Sequence, residues 1–297
     1  SLCLPRGAVE FAALAAGRPL ENITICIEPM FNITGARIDV VRDHLEFHAR
    51  QGAFMEVYDW DGTAAAAVAP LLAAGRARYF PRWGATMSPN VQNALDSAPL
   101  SATNGWVHYL QESHCIMRNR GVSRWVVPNL DPDEFIARSV ADGGSHCRTE
   151  LRDFEAGGIF GDARALEFLA SVFVPAAEFG GSPVAPASSP VYHRFIWRTA
   201  LRSWKHLVVV NPENILTMHG HGMRPRPGTA TLDYFGLTVH HYLYAFGFYW
   251  RSYFTAARQT NFVRRDARLA RKCRRWEPGG RRWISPDERR QPQPVKT

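Results

Sequence analysis

Apolar and polar positions in the first 135 residues follow two alternating periodicities. Two mostly apolar runs, ENITICIEPMF at 21–31 and FMEVYDWDG at 54–62, predict strands. The segment 36–52 between them predicts a helix that ends at Gly52, because glycine readily adopts the left-handed conformation found at helix ends. The apolar residues at helical spacing in this segment are Ile38, Val41, Leu45 and Ala49.

A second strand and helix pair follows the same pattern. The Ala-rich segment 63–75 predicts a helix that Asp61 can cap, Pro70 can kink and Gly75 can end. The segment RARYFPRW at 76–83 then predicts a short strand.

A third helix and strand complete the first half. Residues 106–121 predict a helix with Trp106, Leu110 and Met117 on one face, and RWVVPNLD at 124–131 predicts the next strand. Repeated strand–helix–strand units imply a mostly parallel sheet with right-handed crossovers, in which ligands bind at the carboxyl ends of the strands. Asp59 and Asp131 both fall at such ends.

The second half is less regular. It combines apolar strands with a Gly/Ser/Pro loop, and a proline-free aromatic region at 229–277 predicts a strand and one or more helices packed on the core. We find no internal repeat and no sharp linker, so the simplest division is a lead-in at 1–20, one main α/β domain at 21–263 and a basic tail at 264–297.

The segment RWVVPNLDPDEF at 124–135 carries the most specific chemistry. In an extended chain Asp131 and Asp133 would point to one side and Glu134 away from them, and Pro132 favours the extended form for the residue before it. Two buried carboxylates need solvent or a cation. Because proline removes a ladder donor, Pro128 predicts a bulge or a sheet edge.

Composition and charge narrow the class of protein. The chain has 297 residues, 46% of them hydrophobic, which is enough for one large core or two modest ones. It shows no run of ~18 apolar residues and no visible signal peptide. The tail at 264–297 contains 12 Lys and Arg against 4 Asp and Glu, a net of +8 that equals the charge of the whole chain. Such a tail attracts polyanions or simply solvates the terminus, and nucleic acid is not an expected partner.

The cysteines and the N-glycosylation sequons do not decide the cellular compartment of the protein. The five cysteines form no C-x-x-C pair, which argues against a zinc site and leaves at least one thiol unpaired if disulfides form. Asn22 and Asn32 begin two N-glycosylation sequons, which would be acceptors only in a secretory lumen.

Eight short elements in order resemble glycosyltransferase family 92, many of whose members are galactosyltransferases. The elements span roughly residues 22–245 and read LEFHARQG, VYDWDG, LQESHC, RWVVPNLDPDEF, EFGGSP, WKHLVVVNP, ILTMHGHG and HHYLY. The resemblance implies a GT-A fold, a Rossmann-like and mostly parallel sheet flanked by helices. It also implies inverting transfer of a sugar, galactose from UDP-galactose by preference, to a glycan acceptor.

The resemblance also implies a metal site. A leaving nucleoside diphosphate carries negative charge that a hard divalent cation can neutralise, so we expect Mn²⁺, with Mg²⁺ possible. We predict Asp131, Asp133 and His219 as its ligands; for His219 alone, an ordinary loop histidine is the alternative.

The predicted contacts with the UDP-sugar come from several elements: Asp59, Gln111, Asp131, Lys205 and His241. Asp59 can instead be a turn or cap residue, and Lys205 can be a surface lysine. Cys115, next to this set on the third helix, is by default a buried thiol.

Inversion requires a base that takes the proton of the acceptor hydroxyl. We expect Glu178 in this role, with Asp153, Glu155 and Asp162 as alternatives. Members of the resembling family are typically type II Golgi proteins, so we expect a lumenal enzyme whose membrane anchor would precede Ser1. The alternative is a non-catalytic module that binds nucleotide sugars or polyanions on a degenerate GT-A fold.

Overall fold

The structure is a computed structural model, and it describes the part of the chain that carries most of the predicted site. The described residues are 21–83, 100–138, 165–174, 197–219, 222–229, 231–233, 237–242 and 263–265. Side chains are described for fewer of these, chiefly in the first half.

The first half alternates strands and helices as predicted. Its elements are β1 (Glu21–Met30), α1 (Ala36–Arg50), β2 (Phe54–Asp59), α2 (Ala65–Ala73), β3 (Ala77–Phe80), α3 (Leu100–Asn119), β4 (Ser123–Leu130) and β5 (Glu134–Arg138). Helix α1 is followed by Gly52 at φ 95°, which confirms the predicted stop.

The described elements of the second half are mainly strands. They are β6 (Ala165–Val174), β7 (Trp197–Val210), a 3₁₀ turn (Pro212–Asn214), β8 (Ile215–His219), β9 (Gly222–Pro225), β10 (Thr231–Asp233), β11 (Leu237–His241) and β12 (Val263–Arg265). Strand β12 spans the predicted boundary at residue 264 and pairs with β7.

A single large sheet organises these strands in the order β3-β2-β1-β4-β7-β6-β11-β5, with β10 beside β6 and β12 beside β7. Strands β3, β2, β1 and β4 are parallel, and β7 runs antiparallel to β4. Strands β8 and β9 form a separate hairpin. The molecule is therefore an α/β protein with a mostly parallel, Rossmann-like central sheet, as the alternation of elements predicts.

Helices cover both faces of the sheet because alternate residues of each strand point in opposite directions. On β1, Ile25 and Ile27 pack with α1 and α2, whereas Cys26 packs with α3. Each fully buried aliphatic side chain stabilises the fold by about 1.5–3 kcal/mol, so both helical layers are held mainly by apolar burial.

Helix α3 buries a different face from the one that its apolar spacing predicts. Leu110 and Met117 are 41% and 63% exposed, whereas Gln111 and Cys115 are fully buried. The prediction is wrong because the buried face of α3 contains polar side chains that hydrogen-bond to strands, a pattern that hydrophobic spacing does not detect.

Strand β4 contains the bulge predicted at Pro128. Ile25 of β1 pairs with Val127 and Ile27 pairs with Leu130, so one residue of β1 between these pairs faces two residues of β4. Because β4 lies between β1 and β7, the proline is accommodated inside the sheet by a bulge and not at an edge.

Within the described residues, no helix has the length and apolar character needed to span a bilayer.

Candidate functional site

The candidate site lies where the order of the parallel strands reverses. The chain runs from β1 to β2 and β3 on one side of β1 and then crosses, through α3, to β4 on the other side. The carboxyl ends of β1 and β4 therefore meet at a topological switch point, where open α/β sheets bind ligands. Asp131 follows β4 at this point, so sequence and topology indicate the same edge of the sheet.

Glu28 and Asp131 bring two carboxylates together at the switch point. Glu28 lies near the carboxyl end of β1, and its side chain is only 7% exposed. Burial raises the pKa of Glu28, and the charge of Asp131 raises it further, to about 7. Two like charges this close in a buried site favour a cation or a proton between them.

His108 of α3 provides a positive charge beside Glu28. Its Nδ1 lies 2.9 Å from Oε2 of Glu28. Burial alone would lower the pKa of His108, but the charge and hydrogen bond of Glu28, with the charges of Asp131 and Glu112, raise it to about 9. The imidazole is therefore protonated at neutral pH and partly balances the carboxylates.

The acidic motif forms a turn, not the extended segment predicted from the sequence. The backbone N of Glu134 donates to the carbonyl of Asp131 at 2.9 Å, which closes a four-residue turn with Pro132 at its second position. The Glu134 carboxylate accepts a hydrogen bond from the backbone N of Asp131 at 3.1 Å. The prediction that Glu134 points away is therefore wrong, because the chain reverses at Pro132.

Asp133 connects this turn to strand β11. Its side chain is buried, and its carbonyl accepts a hydrogen bond from the backbone N of Tyr242 at 2.8 Å. His241 pairs with Glu134 in the antiparallel register of β11 and β5. The fold thus brings the backbone of His241 beside the acidic turn, whereas its side chain lies outside the described set.

Three other predicted site residues stay predictions. His219 ends β8, whose Met218 packs in the same apolar cluster as Ile116 of α3. Lys205 lies within β7. The side chains of both are outside the described set, and Glu178 is outside the described residues altogether.

Asp59 caps the turn between β2 and α2. Its two carboxylate oxygens accept hydrogen bonds from the backbone N of Gly62 at 2.9 Å, the backbone N of Ala64 at 2.7 Å and the Tyr79 hydroxyl at 2.5 Å. The turn interpretation of Asp59 is confirmed. The prediction that Asp61 caps α2 is wrong, because α2 has no side-chain cap and the Asp61 carboxylate accepts instead from the backbone N of Asn32 and of Thr63. A contact of Asp59 with ribose stays a prediction that would require one of these donors to be displaced.

Helix α3 also contacts the bulge that precedes the acidic turn. Gln111 donates from Nε2 to the carbonyl of Pro128 at 3.0 Å. Asn129 donates from Nδ2 to Oε1 of Glu112 at 2.7 Å. All three polar side chains are buried. The amide nitrogen of Gln111 therefore bonds to the protein, and its predicted contact with a nucleotide stays untested.

Cys115 is bonded to Cys26, which overturns its interpretation as a buried thiol. The disulfide joins α3 to β1, and both cysteines are fully buried. Among the described side chains, one group of three brings possible metal-ligand atoms within 4.8 Å of one another, and it consists of these cysteines and Glu56. Because the two sulfurs are bonded to each other, this group offers no thiolate ligand.

Glu56 is a buried anion beside this disulfide. Its Oε1 lies 2.5 Å from Nη1 of Arg78 and 3.5 Å from Nε of Arg118, and its Oε2 accepts from Asn119 at 3.2 Å. Burial raises the pKa of Glu56, although both arginines act in the opposite direction. This network ties α3 to β2 and β3, away from the switch point.

Two buried histidines of α1 lie on the other face of the sheet. His48 donates from Nδ1 to the carbonyl of His44 at 3.0 Å, and its Nε2 accepts from the backbone N of Ile136 at 3.1 Å. Burial lowers the pKa of His48 to about 3 and lowers that of His44 well below its ordinary value. The two rings are therefore neutral. Both pack near Phe135, so they are structural groups beneath the acidic turn.

Comparison with protein-family models and with curated proteins finds no match for this chain. Membership of glycosyltransferase family 92 therefore stays a prediction from the order of the motifs.

Sequence reasoning missed Glu28, His108 and Glu112. The signal for Glu28 was a charged residue inside an apolar run, and the signal for the other two was a pair of polar residues at i and i+4 on α3. Neither signal identifies a partner, because the three residues meet only when β1 and α3 pack together.

Proposed function

We propose that this chain is a metal-dependent inverting glycosyltransferase of GT-A fold. It would move a hexose, galactose from UDP-galactose by preference, to a hydroxyl of a glycan acceptor. The observation that carries the proposal is the pair of carboxylates of Glu28 and Asp131 at the switch point of a Rossmann-like sheet.

Asp131 follows β4 at this edge, and carboxylate oxygens are ligands that a hard divalent cation prefers. Asp131 and Asp133 of the acidic turn would supply oxygen ligands, and His219 would supply a nitrogen ligand. Bound Mn²⁺ would neutralise the charge that develops on the departing diphosphate. The charge of Asp131, after burial the next cause of the raised pKa of Glu28, supports this proposal because it shows that two acidic groups lie near each other at the edge.

The chain's own residues would perform the other steps. Protonated His108 would add positive charge on the α3 side of the pocket, beside Glu28. A carboxylate, Glu178 in our proposal, would accept the proton of the acceptor hydroxyl as the hydroxyl oxygen bonds to the anomeric carbon and the diphosphate leaves from the opposite face.

The buried disulfide supports a lumenal location. Disulfides persist in oxidising compartments and are rare in the cytosol. Cys26 and Cys115 would pair readily in the secretory pathway, in agreement with a Golgi enzyme.

The test measures UDP and GDP release from a panel of sugar nucleotides, with and without Mn²⁺. We expect Mn²⁺-dependent release from UDP-galactose, and a loss of more than about 100-fold in Asp131→Asn, Asp133→Asn and His219→Ala, because each would remove a metal ligand. The matched control is Asp39→Asn, whose carboxylate lies exposed on α1 and pairs only with Arg42 in the described structure.

Other outcomes would contradict the proposal. Full activity in all three variants would show that these residues are not the ligands of an essential metal ion. A rise in melting temperature with UDP and Mn²⁺ without any UDP release would indicate a binding module. Salt-sensitive polyanion binding that survives Asp133→Ala but disappears on removal of 264–297 would indicate a scaffold that acts through its tail.

A further inference from the structure

Two consecutive residues of α3 contact two consecutive residues of the β4 bulge. Gln111 bonds to the Pro128 carbonyl and Glu112 bonds to the Asn129 amide, at 3.0 Å and 2.7 Å. Pro128 and Asn129 lie between the last two residues of β4 that pair with β1. The helix thus supplies partners for the part of β4 where the ladder to β1 is irregular.

This bulge stands directly before the residue on which the proposed site depends. Asn129 is two residues from Asp131, and only Leu130 separates them. A bulge changes both the direction of a strand and the face on which later side chains lie, so its geometry decides where Asp131 points. Proline cannot donate a backbone hydrogen bond here, so Pro128 itself contributes no donor to the ladder.

The contacts are buried, so the loss of either hydrogen bond would leave a polar group without a partner away from water. Asn129 is 2% exposed, and Gln111 and Glu112 are fully buried. A buried polar group without a partner costs about 1–3 kcal/mol, so the bulge is expected to keep the geometry that satisfies these bonds. Helix α3 is itself fixed to β1 by the Cys26–Cys115 disulfide.

We propose that Glu112 and Asn129, assisted by Gln111, are positioning residues that hold the β4 bulge and thereby aim Asp131 at the switch point. Neither residue needs to touch the ligand. The inference rests on the proposed function where it concerns ligand affinity, and on the fold alone where it concerns the bulge and the turn.

The test exchanges the donor and the acceptor of the hydrogen bond between Asn129 and Glu112. Asn129→Asp would place two carboxylates opposite each other, and Glu112→Gln alone would keep an oxygen acceptor for the Asn129 amide. The double variant, Glu112→Gln with Asn129→Asp, lets the introduced amide donate to the introduced carboxylate. It also restores the net charge of the wild type, so any effect of charge alone cancels.

Two measurements are made on the wild type, the two single variants and the double variant. The first is hydrogen–deuterium exchange of peptides covering 129–136, compared with peptides from β2. The second is the affinity for UDP in the presence of Mn²⁺. We expect Asn129→Asp to raise exchange in 129–136 selectively and to weaken UDP binding about 10–100-fold, and the double variant to return both to within about threefold of the wild type.

A buried amide–carboxylate pair between α3 and β2 is the matched control. Asn119 donates to Glu56 at 3.2 Å, and this pair lies away from the switch point. Asn119→Asp should reduce the melting temperature and leave UDP affinity within about threefold once the protein is folded.

The outcomes separate this proposal from the proposed function. If the double variant does not restore exchange in 129–136, or if Asn119→Asp weakens UDP binding as much as Asn129→Asp does, the positioning role is wrong. If the wild type binds no UDP but exchange responds and recovers as expected, the bulge contact stands and the proposed function fails.

Discussion

The two faces of the sheet differ in their buried polar side chains: the α3 face buries ion pairs, and the α1 face buries neutral imidazoles. On the α3 face, Glu28 and Glu56 are carboxylates with cationic partners, His108 in one case and Arg78 and Arg118 in the other. On the α1 face, the buried imidazoles of His44 and His48 have depressed pKa values because burial disfavours their charged forms.

This difference shows what each helix contributes to the site. Helix α3 brings charge to the carboxyl ends of the strands and is fixed there by a disulfide and by hydrogen bonds. Helix α1 brings a neutral, aromatic support beneath the acidic turn, where Phe135 lies 5.3 Å from the ring of His44 and 5.1 Å from that of Phe47. Among the described side chains, the buried ion pairs of Glu28 and Glu56 therefore lie on the α3 face of the sheet.

Removal of the disulfide should have the largest effect on this arrangement. Cys26→Ala with Cys115→Ala should lower the free energy of unfolding by about 3–5 kcal/mol, because a cross-link between distant residues restricts the unfolded chain. Urea denaturation checks this value. A reductant should destabilise the wild type but leave the double variant unchanged, and equal sensitivity of both proteins would contradict the pairing.

Glu56→Gln should have the next largest effect. It leaves two arginines beside an uncharged side chain in the α3 layer, and we expect a loss of about 3 kcal/mol, because removing one partner of a buried ion pair leaves the other uncompensated. Thermal denaturation measures it. The matched control is Glu46→Gln in the more exposed pair with Arg50, for which we expect less than about 1 kcal/mol.

The pH dependence of stability should have opposite signs on the two faces. His44 and His48 gain protons below pH 6.5 only in the unfolded chain, so stability should fall from pH 6.5 towards 3, by about 1.4 kcal/mol per pH unit for each histidine. His108 keeps its proton in the folded state up to about pH 9, so its contribution should be present below 6.5 and decline from 6.5 to 9.

Urea midpoints between pH 4 and 9 measure both slopes. His48→Gln should flatten the acid slope by about one proton, and His108→Gln should flatten the alkaline slope. An acid slope that is unchanged in His48→Gln would show that this histidine is already protonated in the folded protein.

The sequence predicted most of the first half of the fold. The apolar runs located β1 and β2, helical spacing located α1, and Gly52 marked its end, because each signal depends on neighbouring residues. Pro128 predicted a bulge or a sheet edge for the same local reason, and the strand order decided for the bulge. The buried face of α3 was not predictable, since its polar residues are satisfied by strand residues that are distant in the sequence.

The residues of the candidate site also divide into those that a local sequence signal predicted and those that it missed. Asp131 and Asp133 were predicted from one short motif and stay predictions as metal ligands. Glu28 and His108 were missed, because a charged residue in an apolar strand has no visible partner in the sequence. Their 2.9 Å contact exists only because α3 crosses over the sheet and packs beside β1. Asp59 could be interpreted in two ways until the donors around its carboxylate were seen.

What the sequence determined by itself is therefore local: the alternation of strands and helices in the first half, the glycine stop and an irregular position at Pro128. The tertiary structure alone decided which cysteines pair, which face of α3 is buried, and that Glu28 and Asp131 share one edge of the sheet. The physical reason is that strand order and helix packing set distances between residues about 80 to 100 positions apart, and no local propensity encodes those distances.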